Sequence, residues 1–203
     1  MAKISNNTAP RPRRWPAVRG RFFALFAAVA ALWVLEIIDV VFFRHALNGL
    51  GIVPRTVNHA TGILFAPLLH RDFAHLLANT GPLLIAGSLI ALHGARALFG
   101  VTVIVWLMGG LLEWLFAPAG ICAIGASGVV FGYIGFLLAY AVVCGRPLSI
   151  IAALVCAWFY GSLILPNVLP TAQSAANNIS WHGHLFGFIS GIFAARTTRR
   201  GRR

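Results

Sequence analysis

Apolar residues run in six blocks along the chain, separated by more polar stretches. Five blocks, at roughly 22–43, 73–92, 97–116, 123–144 and 147–165, are long enough to cross a hydrocarbon layer of about 30 Å. The sixth, at roughly 179–195, is short, and the basic tail behind it supplies a stop. Lipid offers no partner for a bare backbone, so the blocks predict helices rather than open strands. The expected fold is all-α: a polytopic membrane protein with a six-transmembrane-helix bundle over residues 22–195, flanked by unstructured basic tails at 1–21 and 196–203. Gly81-Pro82 predicts a local kink in the second span. The first span has a basic leader, but its apolar run exceeds a signal core and carries Glu36 and Asp39, which predicts a retained helix.

Composition agrees with a membrane protein. A chain that is 59% hydrophobic with four acidic residues cannot bury that surface in a soluble core. Charge then orients the bundle. Lys3, Arg11, Arg13, Arg14, Arg19 and Arg21 precede the first span, and Arg196, Arg199, Arg200, Arg202 and Arg203 follow the last. An even number of spans puts both tails on one side, which the positive-inside rule makes the cytoplasm. Arg96 and Arg146 fall on that side, whereas the outer loops hold Arg44, Arg55 and Arg71. Topology and anionic lipid account for the net charge of +12. Aromatic residues are not interleaved with the C-terminal basic tail, so nucleic acid is not an expected partner. Cys122, Cys144 and Cys156 fall at different depths, which gives neither a disulfide framework nor a metal site.

The polar residues able to do chemistry collect near the starts of the second, fourth and sixth spans, which all begin on the outer side. Ser127, in Gly125-Ala126-Ser127-Gly128, falls at or near a helix N-terminus, where free amides favour negative charge. A serine there can attack a carbonyl while its own amide holds the oxyanion; equally, Ser and Gly can simply let two helices pack closely. His184 is an ionisable group within a span and therefore a functional suspect. It shares a helical face with Gly187 and Gly191, and Gly128 and Gly132 offer a matching face on the fourth span. Close approach of those faces would bring Ser127 to His184; the competing reading is a packed interfacial histidine. His75 and Asn79 stack one turn apart and can both donate hydrogen bonds, as oxyanion donors or as a structural polar cluster. His70 is expected to be structural, and His182 to lie at the rim. Glu36 and Asp39 are expected to be hydrated or paired with Arg44 or Arg55. The stretch Thr171–Asn178 is expected to cap the outer end, with a lid role resting on its place above His184.

Taken in order, His70 with His75-Leu-Leu-Ala-Asn79, Gly125-Ala-Ser127-Gly128 and His184-x-x-Gly187-x-x-x-Gly191 resemble the rhomboid intramembrane serine proteases of the basic six-helix bacterial type. The resemblance implies Ser127 as nucleophile and His184 as base, with no cofactor and no metal. It implies an oxyanion hole of His75, Asn79 and the Ser127 amide, in a water-filled cavity open to the outer face; the short length and basic tails suit a bacterial plasma membrane. Substrates would be single-span membrane proteins cut in or near the spanning segment; the alternative is an inactive relative that binds such clients. Three features depart from the family pattern. Phe131 stands where a tyrosine often supports the histidine ring, the first outer loop lacks a Trp-Arg pair, and the second span lacks an acidic residue past its middle. A channel would instead line a whole pathway with polar groups.

Overall fold

The computed structural model describes residues 15–170 and 180–200, so the first 14 residues, the Thr171–Asn178 stretch and the last three residues lie outside the described residues. Among the described residues six long helices carry the chain: α1 Trp15–Ile38, α2 Phe73–Ala91, α3 Ala95–Phe116, α4 Ser127–Cys144, α5 Pro147–Val168 and α6 Trp181–Arg200. α1 through α5 are long and apolar enough to cross a membrane. α6 is the least apolar, because His182, His184 and three arginines share it. The chain is an all-α polytopic bundle and an integral membrane protein.

Helix ends follow local chemistry, and they correct several expected boundaries. α1 starts at Trp15, inside the stretch expected to be an unstructured tail, with Pro16 in its first turn, where a missing N–H costs nothing. α6 likewise continues past 195 to Arg200, since arginine is a good helix former and no breaker intervenes. α4 begins four residues later than the apolar block, at Ser127. The residues before it are held as loop by a two-bond bridge, Ile52 N to Ala123 O and Ala123 N to Ile52 O, both 2.9 Å. α2 runs as one helix through Gly81-Pro82. α4 ends at Gly145, whose φ of 64° is the left-handed stop that favours glycine.

α4 occupies the centre: over half of its most apolar stretch is buried, against about a third or less for the other spans. α6, α5, α3 and α2 surround it, and α1 packs on α2. Large apolar side chains such as Phe23, Phe99, Val142 and Trp158 face outward into lipid. Lipid tails are as apolar as leucine, so cohesion depends on close packing and on hydrogen bonds between helices. Trp33 Nε1 donates to Thr80 Oγ1 at 3.1 Å, and the Thr102 and Tyr133 hydroxyls meet at 2.6 Å. Bonds of this kind average only about 0.6 kcal/mol, which leaves most of the work to packing.

The segment joining α1 to α2 is fastened from α3. Arg55 donates to the carbonyls of Leu115 and Ala117 at the α3 C-terminus, and Trp106 and Trp114 donate their indole N–H groups to Ile63 O and Thr56 O. Glu36 and Asp39, expected to be hydrated or paired with Arg44 or Arg55, are instead buried, at 3% and 2% exposure, and neither arginine forms an ion pair with them among the described residues. A π-helical turn over Asp39–Phe43 and left-handed Arg44 and His45 wrap the chain back over them. Asp39 Oδ1 then accepts the Leu47 amide at 3.1 Å, and Glu36 Oε1 lies 4.0 Å from His45 Nδ1.

Candidate active site

The loop before α4 enters the bundle and places Ser127 as the first residue of the helix. The Gly125 amide donates to Ala66 O at 2.8 Å, and the Ala126 amide reaches His70 Nε2 at 3.4 Å. Gly125 has φ of 115°, a region side chains avoid, and a β-carbon there would sit 2.7 Å from His75 Cε1. Glycine therefore serves two ends: it permits the turn and lets the imidazole lie against the backbone. The first-turn amides of α4 have no intrahelical acceptors and form the positive end of the helix dipole.

α6 approaches α4 backbone to backbone. A β-carbon on Gly187 would fall on the carbonyl oxygen of Gly128, and one on Gly191 on that of Gly132. A third contact, Gly135 against the Phe188 carbonyl, extends the seam beyond the residues singled out in the sequence. The close seam sets Ser127 Oγ 2.9 Å from His184 Nε2. His184 is 7% exposed, stacks on Phe131 at 4.3 Å between ring centres, and places Nδ1 3.1 Å from the carbonyl of Asn167 on α5. A carbonyl only accepts, so the ring proton lies on Nδ1, and Nε2 offers its lone pair to the serine hydroxyl.

α2 brings His75 and Asn79 to the same place. Asp72 caps the helix by accepting the His75 amide at 2.7 Å, which fixes the first turn; that hydrogen bond, with Arg71, also holds the Asp72 carboxyl below its usual range. Asn79 Nδ2 gives one proton to His75 O at 2.8 Å and retains a second. His75 Nδ1 accepts the Arg71 amide at 3.4 Å, leaving the proton on Nε2. His70 is fully buried beside it, rings edge to face at 5.3 Å. Burial, then the neighbouring His75, pushes His70 from an ordinary 6.5 down to about 4. Between those values the unfolded chain binds a proton that the folded one refuses, so stability falls on acidification from about 6.5 toward 4 and is unaffected by this group above that window. His70→Gln, which keeps an acceptor for Ala126, should flatten that fall in thermal melts at pH 7 and 4.5. An equal fall in the variant would exonerate His70.

Ser127, His184, His75, Asn79 and Phe131 line one cavity of about 510 Å³, closed on another side by Tyr160 and Asn167 of α5. Among the described residues no carboxylate hydrogen-bonds His184. His182 packs at a tilt against the Trp181 ring and does not line the cavity. Two contributors were passed over in the sequence. Asn167 acts through its backbone, which residue type does not mark. Glu113, 8% exposed on α3, accepts Ser180 Oγ at 3.1 Å and, with Gly128 and Gly183, borders a hollow of about 50 Å³ beside Ser127. An acidic residue inside an apolar span was itself the signal for it.

A family model described as the Rhomboid domain matches residues 57–201. Uncharacterized proteins of Mycobacterium bovis and Mycobacterium tuberculosis are each 37% identical to this chain over 196 residues, covering 94% of it and 79% of the relative. An uncharacterized protein of Mycobacterium leprae is 40% identical over 172 residues, covering 82% of this chain and 67% of the relative. The chain belongs to the rhomboid family.

Proposed function

We propose that this rhomboid-family protein is an intramembrane serine endopeptidase that hydrolyses peptide bonds in or near the transmembrane segments of single-span membrane proteins. The observation that carries the reading is the 2.9 Å contact between Ser127 Oγ and His184 Nε2 in a chain of that family. Ser127 Oγ attacks the scissile carbonyl as its proton passes to Nε2; the imidazolium then gives that proton to the leaving amine. Water, deprotonated by the same Nε2, attacks the acyl carbonyl, and the imidazolium returns that proton to Ser127 Oγ as the acyl group leaves as a carboxylic acid. Negative charge on the tetrahedral oxygen meets the Ser127 amide at the start of α4, the free N–H of Asn79 and Nε2–H of His75. Phe131 keeps the ring stack without a hydroxyl.

With six spans the segments before α1 and after α6 share a side, and the arginines at the end of α6 and after it, Arg196, Arg199, Arg200, Arg202 and Arg203, support the cytoplasm as that side. α2, α4 and α6 then start on the outer face, and the cavity opens there. The direct test is covalent labelling by a fluorophosphonate, with wild type taking up the probe and Ser127→Ala refusing it while folded. Equal labelling of both would sink the reading and leave a protein that holds spanning segments without cutting them. His75→Ala and Asn79→Ala should each slow reporter cleavage by about 10²- to 10³-fold with a smaller change in KM. Lower thermal stability with turnover intact would make the pair structural instead.

A further inference from the structure

Among the described residues the dyad has no acidic partner, yet a base in this role needs its second nitrogen held. We propose that the C-terminal end of α5, through the Asn167 carbonyl, serves as the third, positioning member of the site: it fixes the tautomer and orientation of His184 and stabilises the imidazolium formed during proton transfer. The inference rests on the protease reading for its catalytic consequence, and on geometry alone for the positioning.

The carbonyl lies 3.1 Å from His184 Nδ1. Asn167 is in the last turn of α5, which stops at Val168; Leu169 turns extended, with φ of −117° and ψ of 153°, ahead of Pro170. Proline disfavours helix at the preceding residue, so the stop is written into Leu169-Pro170. Carbonyls in a final turn lack the donors that a longer helix would supply, and together they carry the equivalent of roughly half a negative charge. That charge faces the nitrogen that becomes cationic. Asn167 Nδ2 donates to Leu163 O at 2.8 Å, which folds the side chain back along α5 and keeps it off the path between carbonyl and ring. Phe131 blocks one ring face by stacking, so the two edge contacts, Ser127 on Nε2 and Asn167 on Nδ1, define the remaining orientation. The buried carboxylate that borders the hollow beside Ser127, Glu113, accepts Ser180 Oγ instead.

The test weakens the carbonyl without changing a side chain. Replacing Val168 by its α-hydroxy acid turns the Asn167–Val168 amide into an ester, whose carbonyl is a poorer acceptor. The matching ester at Leu154, which faces lipid mid-helix, also deletes one helical N–H but spares Asn167. Two quantities are read in the full-length protein: the His184 tautomer by ¹⁵N resonance, and the rate of fluorophosphonate labelling. Wild type and the Leu154 ester should hold the proton on Nδ1. The Val168 ester should shift protons toward Nε2 and label about tenfold more slowly, the scale of one hydrogen bond to a charged group. A wild-type proton on Nε2, or a Val168 ester that matches the Leu154 ester in both readouts, overturns the inference. If the tautomer responds but wild type labels no faster than Ser127→Ala, the protease reading fails while the positioning of His184 by α5 stands.

Discussion

Cleavage of a single-span reporter in proteoliposomes should fall by at least about 10³-fold in His184→Ala and in Ser127→Ala, and the double variant should be no slower than the worse single one. The reason is that both residues act on one proton. Without Nε2 the hydroxyl has nothing to give its proton to, and without the hydroxyl Nε2 has nothing to activate, so the second loss finds no rate left to remove. Stability separates this from damage to the fold. Ser127→Ala removes one hydroxyl whose partner is His184, and should cost roughly 1 kcal/mol or less. His184→Ala also empties the space stacked on Phe131, so its melt is the one to watch. Near-normal cleavage by His184→Ala would dismiss the dyad. Losses that multiply in the double variant would mean that the two side chains contribute independently and that the 2.9 Å contact is incidental.

What made Ser127 and His184 conspicuous in the sequence was cost: a hydroxyl among glycines at a span's start and an ionisable ring within an apolar block both need a reason to be there. The glycine seam was visible for a related reason, since the absence of a side chain at positions four apart is encoded directly. Other features depended on direction or distance, which composition does not carry. Glu36 and Asp39 lie at an interfacial depth in the sequence, and depth suggested water; left-handed Arg44 and His45 then folded the chain back over them. The first outer loop lacks Trp-Arg, yet it is held by a tryptophan and arginine set drawn from two segments: Arg55 on the loop, Trp106 and Trp114 on α3. Such indoles read as ordinary lipid-facing residues until their N–H groups are followed to a carbonyl. Glu113 finds its partner 67 residues away in Ser180, a pairing no local pattern announces. Asn167 is the clearest limit, because a backbone carbonyl has no residue type.

The largest effect on stability should come from a residue with no chemistry at all. Gly191→Val places carbon where the Gly132 carbonyl already stands, with the Phe136 amide nitrogen 2.7 Å away. Both neighbours are backbone of the most enclosed helix in the bundle, so neither can rotate aside as a side chain would, and α6 must separate from α4. The expected cost exceeds about 3 kcal/mol, read as a lowered thermal midpoint in detergent. Gly100→Ala supplies the contrast: it lies within α3 with open space where a β-carbon would go, and should be neutral or stabilising by up to about 1 kcal/mol through helix propensity alone. Because lipid gives the helices little reason to adhere beyond packing and hydrogen bonds, losing this seam has no compensating apolar term. Gly191→Val should also lose probe labelling, although it lies two helical turns from His184, since the serine and the ring meet only while the two backbones touch. If Gly191→Val melted with Gly100→Ala and still labelled Ser127, close approach of α4 and α6 would not be what holds the site together.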